Sequence, residues 1–197
     1  MVEVLAQAEF PGFKMKIRTH QFTLSETLTD EVLEHVMQMD LEAWDSYNLF
    51  DTDVDCIRQL AKKLHYEAGQ FNRFGEIRND LWINGWVNLL HKNDSIRPHF
   101  HSAEKNSYYS CNISLDNYTS KTLFYPPWGD RHGHIIEQEN IKGRGMFFPQ
   151  WLWHEVLPIE DEIRYTLGID IHTDEMMENH DTTAPITRSI KLNEVYT

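Results

Sequence analysis

The spacing of apolar residues along the sequence changes near residue 80, and this change limits the folds that the chain can adopt. Before it, apolar residues recur every three or four positions; after it, short segments rich in aromatic and β-branched residues are separated by Asn, Asp, Gly and Pro. The first pattern is typical of amphipathic helices and the second of an all-β sandwich or barrel. The sequence therefore predicts a mainly β protein with helices on its N-terminal side.

Two helices are predicted within residues 1–79. The first would begin at Thr29 and Asp30, which favour helix N-termini. Its apolar positions are Val32, Leu33, Val36, Met37 and Leu41. The second would begin at Thr52 and Asp55, whose spacing resembles a capping box. Its apolar stripe is Val54, Ile57, Leu60, Ala61 and Leu64. We expect both helices to pack on the outside of a sheet.

The strand pattern is clearest between Leu81 and Leu90, where two kinds of side chain alternate. One face of this strand would carry Trp82, Asn84, Trp86 and Asn88. The other would carry Leu81, Ile83, Val87 and Leu89. Because successive side chains of a strand point to opposite faces, the apolar face suits a core. The amides and indoles of the other face suit a ligand cavity.

Further strands are expected at Ser107 to Leu115, Thr122 to Tyr125, Gly145 to Phe148 and Tyr165 to Ile171. Residues 80–172 therefore contain enough strands for a double-stranded β-helix, or jelly roll, as the core. Residues 173–197 are polar and aperiodic, which predicts a C-terminal tail on the surface or on the neighbouring subunit of a homodimer. We expect residues 1–197 to form a single domain.

Charge and composition argue against several classes of protein. The 31 acidic and 18 basic residues give a formal net charge of −13, which repels a phosphate backbone and disfavours nucleic acid as a partner. The 2 cysteines form no CxxC pair, so a zinc ribbon or disulfide framework is not indicated and a reducing cytoplasm suits the chain. No segment approaches the roughly 18 apolar residues that span a membrane. Hydrolase and nucleotide-binding motifs are also absent from the sequence.

Three histidines are candidate metal ligands. His99 and His101 lie two residues apart, so on a strand both imidazoles would face one space. His154 follows an apolar segment, 143–153, that contains Pro149. A histidine in such surroundings needs partners for both ring nitrogens, and a metal ion together with an acceptor behind the ring would provide them. The alternative is a core histidine that bonds to the backbone.

Arg164 and Thr166 lie ten and twelve residues beyond His154, in a predicted strand. A buried arginine requires an anionic partner, and its guanidinium group can hold a carboxylate through two parallel hydrogen bonds. Arg164 is therefore a candidate for binding a dicarboxylic acid. The alternative is a surface salt bridge with one of the nearby acids, Glu160, Asp161 or Glu162.

The order His99-x-His101, then Phe148-Pro149-x-Trp151-x-x-His154, then Arg164-x-Thr166 resembles the 2-oxoglutarate/Fe(II)-dependent oxygenases, over roughly residues 80 to 172. The resemblance implies a jelly roll in which the three histidines are the catalytic residues and hold Fe(II). It also implies that Arg164 and Thr166 bind the far carboxylate of the cosubstrate 2-oxoglutarate, in a pocket completed by Asn88, Tyr108 and Asn112.

The implied activity is hydroxylation of a C–H bond in an unidentified small molecule or peptide, with molecular oxygen as the oxidant. Most of that family carries an acid two residues after the first histidine, where this chain has His101. The third ligand would therefore be neutral, and the metal site more positive.

The same residues also resemble the cupins, another jelly-roll family, whose motifs combine HxH and a later Glu with G-x5-P-x-G-x2-H. Gly143, Pro149 and His154 fit this spacing, with Trp151 in place of the middle glycine, and Glu104 falls early. A cupin-like three-histidine enzyme would not use 2-oxoglutarate. A non-catalytic jelly-roll binding protein would hold no metal. The arginine after the distal histidine favours the oxygenase.

Overall fold

The structure is a computed structural model that describes residues 2–10, 13–41, 47–71, 79–102, 109–127, 135–178 and 189–196. Its strands and α-helices are, in chain order, β1 (Val2–Phe10), β2 (Phe13–Thr23), α1 (Glu26–Gln38), α2 (Asp55–Phe71), β3 (Leu81–His91), β4 (Ile96–His99), β5 (Tyr109–Ser114), β6 (Lys121–Tyr125), β7 (Ile136–Glu139), β8 (Arg144–Pro149), β9 (Trp153–Val156), β10 (Ile163–Thr173), α3 (Asp174–Glu178) and β11 (Ile190–Lys191).

The strands form two antiparallel sheets. The larger sheet has seven strands in the order β1-β2-β8-β5-β10-β3-β11, and the smaller has four in the order β4-β9-β6-β7. Neighbours in both sheets are mostly distant in sequence, so the chain crosses repeatedly from one sheet to the other. This is the arrangement predicted for a jelly roll, and the strands expected between residues 80 and 172 all lie within it.

The first two strands were not predicted. β1 and β2 form an antiparallel pair, and β2 joins them to β8. The prediction of a purely helical part over 1–79 is therefore wrong for the residues up to Thr23. The signal was present, because Lys14, Lys16 and Arg18 alternate with less polar residues, which is the period of a half-buried strand.

The two N-terminal helices pack on the larger sheet as expected, but their starts differ from the prediction. α1 begins one turn earlier, where the Ser25 hydroxyl accepts a hydrogen bond of 3.3 Å from the Leu28 amide. α2 begins at Asp55, slightly later than the proposed capping box implies, and the Thr52 hydroxyl donates to the Leu49 carbonyl at 2.8 Å in the preceding turn.

One large core lies between these helices and the outer face of the larger sheet. The helices contribute completely buried residues, among them Val32, Val36, Ile57, Leu60 and Leu64. The sheet contributes Ile83, Val87, Ile113, Leu167 and Ile169. The predicted apolar faces of α2 and β3 are therefore confirmed. Because this face of β3 is in the core, the opposite face with Trp86 and Asn88 points into the space between the sheets.

The end of the C-terminal segment belongs to the fold, which corrects the prediction of a tail over 173–197. Ile190 and Lys191 form β11 and pair with Ile83 and Trp82 at the edge of β3. Leu192 is completely buried in the main core. Apolar residues at these positions bury surface that a solvated tail would leave in water. In the parts of the chain that the structure describes, no helix has the length and apolar character needed to cross a membrane.

Candidate metal centre

The fold brings the three predicted histidines together. β4 pairs with β9, and this pairing sets His99 opposite His154. His101 lies two residues beyond the end of β4, and its Nε2 is 3.3 Å from Nε2 of His154. One nitrogen from each of the three rings lies within 4.8 Å of the other two. Residues that are 53 positions apart in sequence thus share one small volume.

Each ring is held through its Nδ1 atom. Nδ1 of His99 donates to the Arg97 carbonyl at 2.8 Å, and Nδ1 of His154 donates to the Leu152 carbonyl at 2.9 Å. Nδ1 of His101 donates to the carboxylate of Asp170 at 2.6 Å. Because carbonyl and carboxylate oxygens only accept hydrogen bonds, Nδ1 carries the hydrogen in each ring. The lone pair of each neutral ring is therefore on Nε2.

This tautomer assignment makes the centre a good fit for a cation. The Nε2 atoms of His101 and His154, both acceptors, face each other at 3.3 Å, which is unfavourable unless a positive charge lies between them. Zn²⁺, Fe²⁺ and similar ions bind imidazole nitrogen at about 2.0–2.1 Å with the other ring nitrogen bonded to an acceptor. The alternative of a core histidine satisfied by backbone accounts for one nitrogen of His154 but not for the other.

His99 and His154 are electrostatically suited to remain neutral. Burial, reinforced by the neighbouring His101 and His99, lowers the pKa of His154 to about 3. Burial also lowers the pKa of His99. A neutral imidazole is the form that binds a metal, so at neutral pH protons do not compete strongly for these two ligands.

Asp170 is a residue of the site that the sequence analysis missed. It lies in β10, and the same carboxylate oxygen that accepts from His101 also accepts from the Ser110 hydroxyl at 2.6 Å. Burial alone would raise the pKa of Asp170, but its interactions with His101, followed by His172 and the Ser110 hydroxyl, lower it on balance. The carboxylate oxygen accepts two hydrogen bonds, which favours its ionised form. The available signal was a single acid between Ile169 and Ile171 in an otherwise apolar strand.

A narrow cleft opens beside the histidines. Its walls include Trp86 and Asn88 from β3, Asn112 from β5, Thr122 from β6 and Gly168 from β10. Asn88, which was predicted to bind a ligand, accepts a hydrogen bond from the indole nitrogen of Trp86 at 3.1 Å. The predicted ligand Tyr108 and the acid Glu104 lie outside the described residues.

Arg164 and Thr166 belong to the same face of β10 as Asp170, because residues at every second position of a strand point to one side. Asn88 lies opposite Thr166 in the neighbouring strand, and Asn112 lies opposite Gly168. The order along this face is therefore Arg164, Thr166, Gly168 and Asp170, and Asp170 is the residue next to His101.

Arg164 is completely buried, and none of its three guanidinium nitrogens has a hydrogen-bond partner among the described residues. Burial lowers its pKa to about 10, which leaves it charged at neutral pH. The predicted alternative of a surface salt bridge is wrong, since Glu162 pairs with Lys92 and Asp161 accepts from Thr119 and Ser120. A buried cation without a partner is costly, so this position requires an anion from outside the described chain.

Buried acceptors and hydroxyls on the neighbouring strands are also unpartnered within the described residues. They are Thr166 Oγ1, Thr122 Oγ1 and Asn112 Oδ1. The large majority of buried polar atoms in folded proteins are hydrogen-bonded. Unpartnered polar atoms on strands that line one cleft indicate that a polar ligand completes them.

No protein-family model matches the sequence, and no curated protein sequence matches it. The structure is similar to a prolyl-4-hydroxylase from Pseudomonas putida, with a TM-score of 0.63, 14% identity and coverage of 79% of this chain and 84% of that one. It is also similar to a prolyl hydroxylase from Trichoplax adhaerens in complex with a hypoxia inducible factor peptide, with a TM-score of 0.63, 13% identity and coverage of 83% and 87%.

A third similar structure is the α-ketoglutarate-dependent epimerase SnoN from nogalamycin biosynthesis, with a TM-score of 0.60, 12% identity and coverage of 80% of this chain and 77% of that one. Identities this low show a common fold. The predicted jelly roll is therefore confirmed by topology and by comparison.

Proposed function

We propose that the protein is a 2-oxoglutarate- and Fe(II)-dependent oxygenase that hydroxylates a C–H bond of its substrate. One observation carries this proposal. The three-histidine cation site lies against Asp170 of β10. Arg164, a buried cation without a partner among the described residues, lies on the same face of that strand. A ligand that binds a metal at one end and presents a carboxylate at the other satisfies both, and 2-oxoglutarate is such a molecule.

In this proposal, His99, His101 and His154 hold the iron through Nε2, and their Nδ1 bonds keep the rings oriented. Iron and 2-oxoglutarate, when bound, supply the oxidising chemistry, which consumes molecular oxygen and leaves succinate and carbon dioxide as co-products. The protein holds the reactants together and keeps water from the cleft. Trp86, which is 8% exposed and packs beside His101, closes one wall.

We assign the cosubstrate pocket to residues on the face of β10 that continues from the cleft and to residues that line the cleft. Arg164 would hold the far carboxylate, and the Thr166 hydroxyl would donate to it. Thr122 and Asn112 line the cleft, and the oxygens of both side chains are unpartnered among the described residues. The Thr122 hydroxyl would donate to the bound acid or to water, and the Asn112 amide oxygen would accept from water. Asn88 and Tyr108 complete the set as further binding residues.

The substrate is proposed to be a peptide or a small molecule. The similar structures include an enzyme bound to a peptide and, in SnoN, one bound to nogalamycin RO. The formal charge of −13 disfavours nucleic acid. We also propose a cytoplasmic location, and a homodimer as the form in solution.

The proposal is tested by the conversion of 2-oxoglutarate to succinate with added Fe(II) and oxygen. We expect succinate from the wild-type protein and none above background from His154→Ala, which removes a ligand. His65→Ala, which removes a buried histidine of α2 outside the cleft, serves as the control and should retain turnover. Equal turnover by the wild type and His154→Ala would refute the proposal.

Binding measurements on the same proteins separate the alternatives. Anaerobic purification should give about one iron per chain, and 2-oxoglutarate should then bind to the iron-loaded protein. Iron without 2-oxoglutarate binding would favour a cupin-like enzyme. The absence of iron from a folded protein would favour a non-catalytic binding module.

A further inference from the structure

We propose that Asp170 is a positioning residue of the metal centre and supplies, through His101, the negative charge that a carboxylate ligand would otherwise bring. The inference rests on the proposed function in one respect, that the three histidines hold a metal ion. It assigns a role to a residue that is not itself a ligand.

His101 is the ligand whose ring most needs an external support. β4 ends at His99, so the strand ladder that orients His99 and His154 does not include it. Its backbone amide is fixed by the Gln150 carbonyl at 2.9 Å, but its ring is oriented by Asp170 at 2.6 Å. Asp170 belongs to the larger sheet, whereas β4 and β9 belong to the smaller one. The hydrogen bond therefore positions a ligand from across the space between the sheets.

Asp170 is itself held in place. Its partner in the ladder with β5 is Ser110, whose hydroxyl donates to the same carboxylate oxygen at 2.6 Å, and Ser110 is completely buried. Among the described residues, no lysine or arginine forms an ion pair with Asp170, and its one ion-pair contact is His101. The Coulombic influence of the nearby His172 on this carboxylate is smaller than that of His101, so the charge of Asp170 acts mainly on the His101 ring.

The other two histidines lack such a partner, because Nδ1 of His99 and Nδ1 of His154 donate to neutral backbone carbonyls. A carboxylate behind an imidazole raises the basicity of the opposite nitrogen and strengthens its bond to a metal. Three neutral histidines and ionised Asp170 carry the same total charge as two histidines and one carboxylate ligand. Asp170 thus offsets the loss of an acid at position 101.

The test is the affinity for Fe(II), measured anaerobically by competition with a chromophoric chelator. Asp170→Asn keeps the shape and the accepting oxygen but removes the charge, and we expect it to weaken Fe(II) binding by about 10- to 100-fold. Asp174→Asn is the matched control, because that carboxylate also accepts two side-chain hydrogen bonds, from Trp82 and Lys191, but contacts none of the histidines. It should bind Fe(II) like the wild type.

Repeating the Asp170→Asn substitution in a His101→Asp variant distinguishes the proposed electrostatic role of Asp170 from a merely structural one. In His101→Asp the ligand carries its own charge, and Asp170 becomes a second carboxylate beside it. Asp170→Asn in that background should therefore leave Fe(II) affinity unchanged or raise it. A loss of the same size in both backgrounds would indicate a structural role and overturn the inference.

Thermal unfolding of the metal-free proteins identifies variants that fail to fold. If Asp170→Asn does not fold, Ser110→Ala replaces it. This variant removes the hydroxyl that fixes the carboxylate and should weaken Fe(II) binding by about tenfold. If the wild type binds Fe(II) and 2-oxoglutarate while the folded Asp170 or Ser110 variant binds iron equally well, this inference alone is wrong. If the wild type binds no Fe(II), the proposed function and the inference both fail.

Discussion

Arg164 shows at the level of one residue how function conflicts with stability in this fold. The guanidinium group is completely buried and has no partner among the described residues. In the proposed function the cosubstrate supplies the missing anion. The metal-free, ligand-free protein must then carry the cost of a buried charge, which is usually several kcal/mol.

Arg164→Met should therefore separate binding from stability. Methionine fills a similar volume without a charge, so we expect the ligand-free variant to unfold at the same temperature as the wild type or higher. We expect its affinity for 2-oxoglutarate in the iron-loaded state to fall by at least about 100-fold. Thermal unfolding and calorimetric titration measure the two effects.

The control for this substitution is Arg144→Met, because Arg144 is partly exposed and lies 3.7 Å from Glu139 at the surface. It should change neither quantity by much. Unchanged binding of 2-oxoglutarate by the folded Arg164→Met variant would contradict the assignment of the pocket.

The sequence predicts candidate site residues that have a characteristic type and spacing, because a ligand motif places such residues at fixed intervals along the chain. The fold brings the predicted His99, His101 and His154 together. Arg164 and Thr166 stay predicted binding residues. Asp170 and Ser110 could not be predicted in this way, because their roles depend on the register of β5 with β10 and on the packing of two sheets. Contacts of this kind are set by the tertiary structure, so the residues that make them have no characteristic spacing in the sequence.

At the scale of elements, the contact between β10 and β3 shapes the wall of the cleft. Gly168 lies directly beneath the indole of Trp86, and a Cβ atom at this position would be 2.4 Å from Trp86 Cε2. The indole packs beside His101, with ring centroids 5.5 Å apart. A side chain at position 168 must therefore displace one wall of the site.

Gly168→Ala should destabilise the protein by about 1–3 kcal/mol through overpacking and lower succinate formation by about 10- to 100-fold through displacement of Trp86. Gly145→Ala is a matched control, since a Cβ atom there would be 2.2 Å from Phe22 Cζ, on the core side of the fold. It should cost similar stability and leave the activity of the folded protein intact. Equal losses of activity in both variants would contradict this account of the wall.

A second element contact joins α2 to β2. Glu67 of α2 accepts from His20 of β2 at 2.6 Å and pairs with Lys63 one helical turn earlier. Burial alone would raise the pKa of Glu67, but Lys63 and His20 lower it on balance below 4.5. Because the pKa is lower in the folded protein, ionised Glu67 stabilises the fold above about pH 4.5, and this contribution is lost as the pH falls further.

Glu67→Gln should reduce the free energy of unfolding by about 1–3 kcal/mol at pH 7, and the difference from the wild type should shrink as the pH falls below 4.5. Denaturant unfolding at several pH values measures this. Glu162→Gln removes an acid from an exposed pair with Lys92 and should cost less than about 1 kcal/mol. A difference that is constant with pH would show that the charge of Glu67 is not involved.

The elements themselves were only partly predictable. The α2 stripe and the alternation in β3 were strong local signals, and both predictions hold. The start of α1 was predicted one turn late because Ser25 and Thr29 are both good capping residues, and Ser25 caps the helix. β11 is only two residues long and depends on the exposed edge of β3, which the local sequence does not reveal.

At the scale of the whole molecule, the proposed metal centre lies between the two sheets. Its ligands come from the β4–β9 side, and its supporting carboxylate and cosubstrate arginine come from β10 of the other sheet. Bound iron and 2-oxoglutarate would therefore hold the two sheets together in addition to taking part in the reaction. Ligands that bind only the folded state raise its stability by mass action.

The central claim is that three imidazoles from separate stretches of chain surround one metal ion. It is tested most directly by a crystal structure of anaerobically iron-loaded protein, with anomalous diffraction recorded at the iron edge. The account predicts one strong anomalous peak at about 2.0–2.2 Å from Nε2 of His99, His101 and His154. An iron-loaded crystal with no peak among these atoms, or with its iron bound elsewhere, would contradict it.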